Sequence, residues 1–254
     1  MSLESLTRFS AGSMNDHLNK HLWAKGAELF IPQLNSLLKH NNYTPKIISI
    51  DYFANNDVDK LADILNKNKS DKATPLVHNY HIAYTYIINK LGRESKLNFL
   101  EIGLGTNNPD LVSSMGQWGR PGASLYSFQE YLPNSKIFGC DIDKNILFDK
   151  DRIKTCYVDQ LDIESFKGIT QKFGSRLYDI IIDDGLHSIG ANFNTLLFAL
   201  DNVNDDGWII IEDIQKEKMD NWYAIDYILS KNKNYETFMV SCTGGGWLYI
   251  LHKL

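Results

Sequence analysis

Five short apolar segments between residues 97 and 213 each contain or run into an acidic residue. They span 97–102, 136–140, 155–158, 178–182 and 208–211. The acidic residues at these ends are Glu101, Asp141, Asp159, Asp183, Asp184, Glu212 and Asp213. Short apolar strands that alternate with helices are typical of a parallel sheet covered on both faces. Because ligands bind beyond the carboxyl ends of such strands, the sequence predicts an α/β protein with an acidic ligand crevice.

Helical spacing of apolar residues predicts the other elements of this sheet. Helices are expected at 80–91, 124–132, 192–200 and 223–229, and a last strand at 246–251 after the glycine run 244–246. The composition changes near residue 70. We therefore expect a small N-terminal helical accessory region at 1–70, including a helix between Leu22 and Leu38, and the α/β domain at 71–254.

Charge and composition exclude several classes of protein. The 254 residues carry 26 Lys and Arg against 31 Asp and Glu, a net charge of −5, without a block of like charge. That pattern argues against a general nucleic-acid binder. No apolar run approaches the roughly 20 residues that cross a bilayer, and Met1–Ser10 lacks the apolar core of a secretion signal. Three cysteines without a CxxC pair argue against a disulfide framework or thiolate zinc site.

These exclusions leave a mildly acidic globular protein, which we expect to be cytoplasmic. A small molecule is the expected partner, rather than nucleic acid or a membrane. Homo-oligomer formation remains open.

The turn after the first strand of the α/β domain contains the pair Gly103 and Gly105. Glycines there let the backbone turn tightly and approach a ligand closely, although such a pair can also serve only to join a strand to a helix. A dinucleotide-binding turn would place a third glycine at Asn108 and an acid about 20 residues further on, whereas Asp141 comes much later. Glu101 would repel phosphate, so the turn suits a cationic cofactor such as S-adenosylmethionine better than NAD.

The other strand ends complete this cofactor hypothesis. Glu101 is expected near the amino acid end of S-adenosylmethionine, and Asp141 on the ribose hydroxyls. Asp159 and Gln160 are positioned for the adenine. The less favoured alternative is an NAD-dependent oxidoreductase.

A second acidic group follows the last two of the five strands. Asp183, Asp184 and His187 follow one strand, and Glu212 and Asp213 follow the next. Parallel neighbours joined by a right-handed crossover lie side by side, so Asp184, Glu212 and Asp213 are expected to meet. Three carboxylates so close repel one another unless a cation neutralises them, and oxygen ligands favour Mg²⁺, with Mn²⁺ or Ca²⁺ as alternatives. Taken singly, these residues also fit helix capping, amide contacts or a hydrogen-bonded loop histidine.

From about residue 71 onward, the chain resembles the metal-dependent O-methyltransferases of macrolide-sugar tailoring, the mycinamicin and macrocin enzymes. The matching pieces are Asp71-Lys72, His78-Asn79-Tyr80, Glu101-Ile102-Gly103, 122–125, Pro133-Asn134, 137–143, 159–162, 183–187 and 211–213. The resemblance implies the class I methyltransferase fold, a Rossmann-like sheet with helices on both faces. It also implies S-adenosylmethionine and magnesium as cofactors.

The resemblance also implies roles for individual residues. Asp184, Glu212 and Asp213 would be metal ligands, and His187 the general base. Apart from the resemblance, the glycine turn and the strand ends predict that the cofactor is held by Glu101, Gly103, Gly105, Asp141, Ile142, Asp159, Gln160 and Asp183. Apart from the resemblance, we expect Lys72, His78 and Tyr80, which precede the sheet, to close over the cofactor or acceptor, although a solvated helix start explains them equally well.

The function expected from this reasoning is magnesium-dependent methyl transfer to a hydroxyl of a sugar or a sugar-containing metabolite. Such an acceptor could be a natural product or a surface polysaccharide precursor. Two alternatives remain open. One is a methyltransferase for a non-sugar acceptor, namely a phosphorylated or phosphoramidate group, a catechol or an amine. The other is a protein that binds an adenosyl cofactor without catalysis.

Overall fold

The computed structural model describes residues 34, 36–40, 42–74, 77–117, 119–174 and 176–254. Most of the helix predicted between Leu22 and Leu38 therefore lies outside the described residues. Within the described part of the chain, no helix is both long and apolar enough to span a membrane.

The described residues form one mixed sheet of nine strands. The strands are β1 (Ile47–Ser49), β2 (Asn98–Ile102), β3 (Lys136–Asp141), β4 (Asp149–Lys150), β5 (Ile153–Tyr157), β6 (Tyr178–Asp183), β7 (Val203–Ile214), β8 (Tyr235–Ser241) and β9 (Trp247–Lys253). Their order across the sheet is β1-β8-β9-β7-β6-β2-β3-β5-β4. The central strands β7, β6, β2, β3 and β5 are parallel, whereas β9 pairs antiparallel with both β7 and β8. All five predicted acidic-ended strands are therefore adjacent at the centre.

Helices cover both faces of the sheet, as the sequence predicts. They are α1 (Val58–Lys67), α2 (His81–Leu91), α3 (Ala123–Tyr131), α4 (Lys167–Phe173), α5 (Ile189–Asn202) and α6 (Met219–Leu229). In β6 the side chains of Ile180 and Ile182 pack into the core that contains α1, α2 and α3, while Ile181 packs into the core on the opposite face. Because successive strand side chains point to opposite faces, a run of isoleucines supplies both cores.

Part of the predicted accessory region belongs to this sheet. The edge strand β1 pairs in parallel with β8, with Ile47 opposite Met239. The end of α1 is tied to α3 by an exposed ion pair between Lys67 and Glu130 at 2.8 Å. The described part of residues 1–70 thus contributes one edge strand to the sheet. A domain boundary at residue 70 remains a prediction.

Candidate functional site

The carboxyl ends of the central strands meet at one edge of the sheet. Ile102 at the end of β2 is level with Cys140 of β3 and with Asp183 of β6, and Asp183 is level with Ile211 of β7. Two cavities open at this edge, and both are lined by Gly105, Asp184 and Gly185, among other residues.

The first cavity has a volume of about 220 Å³ and brings together most of the residues predicted to hold the cofactor. We call it the donor cavity. Its lining includes Gly103, Gly105, Asp141, Ile142, Asp159 and Gln160. Four of its lining residues are aspartates, at 110, 141, 159 and 184, and no described lining residue is Lys or Arg. The donor cavity therefore favours a cationic ligand over a diphosphate.

Asp141 is held rigidly in the wall of the donor cavity. Its carboxylate accepts hydrogen bonds from the backbone N–H of Leu104 at 2.7 Å and of Asp143 at 2.8 Å. Burial raises the pKa of Asp141, and these amide donors oppose the rise because they stabilise the charged form. The carboxylate is therefore oriented before any ligand binds.

Two predicted cofactor residues, Glu101 and Asp183, are fully buried and do not line the donor cavity. Asp183 accepts hydrogen bonds from Gln160 Nε2 at 2.8 Å and Asn192 Nδ2 at 3.0 Å. Its geometry fits a residue that positions Gln160, whose Oε1 accepts from the backbone N–H of Leu186 at 2.7 Å. Direct contact of Glu101 or Asp183 with the cofactor remains a prediction.

Gly103 occupies a backbone position that only glycine fits. Its φ is +100°, and a Cβ there would collide with the backbone carbonyl oxygen of Asp184. The tight turn thereby lets the β2 end lie directly against the β6 end. This is the tight turn that the sequence analysis proposed for the glycine pair, and close approach of the turn to a ligand remains a prediction.

Lys72 lies at the centre of a buried acidic cluster, formed by Glu101, Asp184 and Glu212. Its Nζ is 2.6 Å from Asp184 Oδ2, 2.8 Å from Glu212 Oε2 and 3.2 Å from Glu101 Oε1. Burial alone would lower the pKa of Lys72, but the three carboxylates raise it well above its ordinary value. Lys72 is only 1% exposed. Its position is that of an internal counter-ion, and a role for Lys72 in closing over the cofactor or acceptor remains a prediction.

One ammonium group does not neutralise three carboxylates. Burial raises the pKa of Glu101 to about 7, although Lys72 opposes the rise. Burial and the neighbouring Asp184 raise the pKa of Glu212 well above its ordinary value, again against Lys72. A divalent cation bound at this cluster would offset the excess negative charge and stabilise the charged form of the carboxylates.

Asp184 also belongs to a second, partly exposed cluster with His187 and Asp213. His187 Nε2 lies 3.8 Å from Asp184 Oδ1 and 3.6 Å from Asp213 Oδ2. Asp213 Oδ1 accepts a hydrogen bond from the Tyr80 hydroxyl at 2.5 Å and lies 3.4 Å from His78 Nδ1. The second cavity, of about 400 Å³, is lined by Asp184, His187 and Asp213, among other residues. We call it the acceptor cavity. His187 and Asp213 both have a φ of +54°, a strained conformation that is often retained at functional sites.

The predicted metal ligands do not converge as one group. Among the described residues, potential ligand atoms within 4.8 Å of one another form two groups, Glu101–Asp184–Glu212 and Asp184–His187–Asp213. Glu212 and Asp213 are consecutive, so their side chains leave β7 in different directions. The pairing of β7 with β9 also shifts between Ile211 and Ile214. The carboxylate oxygens of Asp184 and Asp213 beside the acceptor cavity nevertheless fit a hard divalent cation.

Two tyrosines at the beginning of helix α2 donate hydrogen bonds to acids of the two clusters. The sequence analysis did not consider these two tyrosines together. The Tyr80 hydroxyl donates to Asp213, and the Tyr84 hydroxyl donates to Glu212. The four-residue spacing of Tyr80 and Tyr84 was the available signal, because it places both rings on one face of a helix.

Comparisons with known proteins place these observations in a family context. No protein-family model matches the chain. Over 124 residues, 48% of the chain, it is 36% identical to mycinamicin VI 2''-O-methyltransferase of Micromonospora griseorubida, of which the match covers 28%. Over 123 residues, 48% of the chain, it is 31% identical to 8-demethyl-8-(2-methoxy-alpha-L-rhamnosyl)-tetracenomycin-C 3'-O-methyltransferase of Streptomyces olivaceus, of which the match covers 29%.

A solved structure supports the fold. The structure of the MycE methyltransferase from the mycinamicin biosynthetic pathway, in complex with Mg and SAH, aligns with a TM-score of 0.60 at 21% identity. The alignment covers 76% of this chain and 54% of that one. The chain spans less than a third of the length of the two curated relatives above. Over 48% of its length the chain is therefore similar to two O-methyltransferases, one named for mycinamicin VI and one for a tetracenomycin, and its sheet has the class I methyltransferase fold.

Proposed function

We propose that this protein transfers a methyl group from S-adenosylmethionine to a hydroxyl group of a sugar, with the assistance of a divalent metal ion. The observation that carries the proposal is the position of Asp184. It lines both the donor cavity and the acceptor cavity, and it belongs to both acidic clusters. A methyl donor and a metal-assisted acceptor would therefore meet at one side chain.

The donor cavity suits S-adenosylmethionine because of its charge. Its aspartates favour the amino group and the sulfonium, and Asp141 offers a fixed carboxylate to ribose hydroxyls. The curated relatives are named as O-methyltransferases, and the MycE structure contains SAH, the product of methyl donation. S-adenosylmethionine supplies an electrophilic methyl group, and S-adenosylhomocysteine leaves after the transfer.

The acceptor cavity suits a divalent metal ion, for which Mg²⁺ is the first choice. Asp184 and Asp213 would hold the ion there, and Glu212 remains a predicted third ligand that Lys72 pairs in the present geometry. Mg is also present in the MycE complex. A bound divalent cation lowers the pKa of a nearby hydroxyl group.

His187 is the proposed general base. Its Nε2 would accept the proton of the acceptor hydroxyl, and the resulting imidazolium would be stabilised by Asp184 and Asp213, which lie 3.8 and 3.6 Å away. Tyr80 fixes one oxygen of Asp213 by its hydrogen bond, so the other oxygen stays directed towards His187. Positioning of the two reactants beside these groups supplies a further part of the rate.

The direct test is an acceptor screen with isotopically labelled S-adenosylmethionine. Sugars, sugar phosphates, nucleotide sugars and glycosides are compared with a catechol and an amine, each with Mg²⁺ and with EDTA. We expect label transfer to a sugar hydroxyl that EDTA abolishes and added Mg²⁺ restores. Transfer only to the catechol or amine, or undiminished transfer in EDTA, would contradict the proposal.

A further inference from the structure

A basic groove adjoins the acceptor cavity. This third cavity, of about 500 Å³, is lined by Asn68, Arg120, Tyr126, Gln129, Glu130, Lys150, Asp151 and Arg152. Arg120 lines both the groove and the acceptor cavity, and Lys69, which follows the groove residue Asn68 in the chain, lines the acceptor cavity. A ligand bound in the groove could therefore extend past Arg120 to the site of Asp184 and His187.

Three cations that line the groove or the acceptor cavity have no acidic partner among the described residues. Within the described part of the chain, no carboxylate oxygen lies within 4.0 Å of the side-chain nitrogens of Lys69, Arg120 or Lys150. Among the described residues, these three side chains form one hydrogen bond, a long one from Arg120 to the Asn68 carbonyl oxygen at 3.4 Å. In a protein of net charge −5, such unpaired cations beside a cavity are available to an anionic ligand.

The neighbouring side chains hold two of these cations in place without neutralising them. The Arg120 guanidinium lies 4.9 Å from the centre of the Tyr126 ring, and Lys150 Nζ lies 5.5 Å from it. Tyr126 is itself stacked on Phe148, with 5.2 Å between ring centres and an interplanar angle of 12°. Cation–π contacts of this kind orient a positive charge and leave its hydrogen-bond donors free.

The two carboxylates of the groove do not cancel its charge. Glu130 is paired with Lys67 at 2.8 Å, which leaves Asp151 as the unpaired acid among the described lining residues. The third lining cation, Arg152, donates hydrogen bonds to backbone carbonyl oxygens, which do not remove its positive charge. The donor cavity, by contrast, is lined by aspartates and would repel an anion.

From this separation of charge we infer that Lys69, Arg120 and Lys150 bind a phosphate or diphosphate group of the acceptor. The acceptor is accordingly a phosphorylated or nucleotide-linked sugar, whose sugar ring reaches the acceptor cavity while its anionic group lies in the basic groove. This inference rests on the proposed function, because it names the class of acceptor. Arg and Lys side chains with free donors are the usual partners of phosphate oxygens.

The test is a calorimetric titration of the full chain saturated with S-adenosylhomocysteine. The probes are inorganic pyrophosphate, glucose 1-phosphate, UDP-glucose and unphosphorylated glucose. We expect the phosphate-bearing probes to bind more tightly than glucose, and more weakly as salt is raised. Tighter binding of UDP-glucose than of glucose 1-phosphate would indicate a nucleotide-linked acceptor, and the reverse a simple sugar phosphate.

A matched pair of double variants assigns the binding to the groove. R120Q/K150Q removes two positive charges from it, and K96Q/K136Q removes two exposed charges at the amino ends of the central strands. We expect R120Q/K150Q to weaken pyrophosphate binding by about tenfold or more, and K96Q/K136Q to bind like the wild type.

Two results would overturn the inference. One is a wild-type protein that binds S-adenosylhomocysteine but no phosphate-bearing probe. The other is equal weakening by both double variants. Failure of S-adenosylhomocysteine itself to bind would instead contradict the proposed function, and the pyrophosphate titration without it would still test the groove.

Discussion

At residue 72, a single buried ammonium group forms ion pairs with three acids and offsets part of their charge. Removing it leaves Glu101 and Glu212 buried without a cation, which costs far more than an exposed ion pair contributes. We expect Lys72→Met to lower the free energy of unfolding by about 3–5 kcal/mol in EDTA. Mg²⁺ should restore part of the loss, since it supplies the missing positive charge. Urea unfolding measures both effects.

The control for this variant is Lys136→Met, at an exposed lysine without a carboxylate partner among the described residues. The free energy of unfolding of Lys136→Met should lie within ~0.5 kcal/mol of that of the wild type. A Lys72→Met protein as stable as the wild type would show that the acids carry no net charge to compensate.

Glu101 gives the protein a specific pH dependence. Its pKa is raised from an ordinary 4.5 to about 7 by burial, so the folded state binds the proton more tightly than the unfolded state does. The stability contributed by this proton is complete below pH 4.5 and is lost as the pH rises through 7. Between pH 4.5 and 7, we expect the free energy of unfolding of the metal-free wild type to fall with a slope that corresponds to about one proton. The variant Glu101→Gln should lack this part of the pH dependence. Identical slopes in urea unfolding would contradict the assignment.

His187 is predicted to act in turnover and not in cofactor binding. We expect His187→Asn to reduce turnover by roughly 10²–10⁴-fold because the proton acceptor is lost. Asparagine is chosen because it tolerates the left-handed backbone that His187 adopts. Affinity for S-adenosylhomocysteine, measured by calorimetry, should stay within about twofold of the wild type, a change of less than 1 kcal/mol. Unchanged turnover would exclude His187 as the base.

Among the elements, the central strands were the easiest to predict. The predicted segments 178–182 and 208–211 are mostly apolar and are followed by acids, and they lie in β6 and β7, although the structure extends β7 to Val203–Ile214. β8 was not predicted, because the Tyr235–Ser241 segment mixes polar and apolar residues and obtains its partners from distant segments, β1 and β9. Sequence patterning cannot report such long-range pairing.

The turn after β2 allows the packing of a single structural element to be tested. Gly103→Ala should destabilise the fold by about 3 kcal/mol, through a left-handed backbone and a collision with the Asp184 carbonyl, and should weaken S-adenosylhomocysteine binding. Gly190→Ala, in α5 with open space around the added methyl group, should be neutral or slightly stabilising. Equal behaviour of the two variants in urea unfolding would show that the turn is not tightly packed.

For the molecule as a whole, the sequence predicted the site's location better than its internal arrangement. Strand order brings Asp141, Asp159 and Asp184 to one cavity, and this follows from the rule that parallel strands share a carboxyl edge. Three features could not be read from the sequence: the shifted register of β7, the insertion of Lys72 among the acids, and the burial of Asp183. Each depends on packing between segments that are distant in the chain.

The molecule also separates its charges. Aspartates line the donor cavity, whereas unpaired cations lie along the groove beyond the acceptor cavity. Under the two proposals above, this division would give a methyl-donating sulfonium and an anionic acceptor separate surfaces, with Asp184 in the lining of both the donor and the acceptor cavity. The proposed chemistry depends on a divalent ion at that meeting point.

Anomalous diffraction from crystals grown with Mn²⁺ and S-adenosylhomocysteine tests that ion most directly. The account predicts one strong manganese peak between the carboxylates of Asp184 and Asp213, with the adenosyl ligand in the donor cavity. A map with the ligand bound there and no peak beside either carboxylate would contradict it.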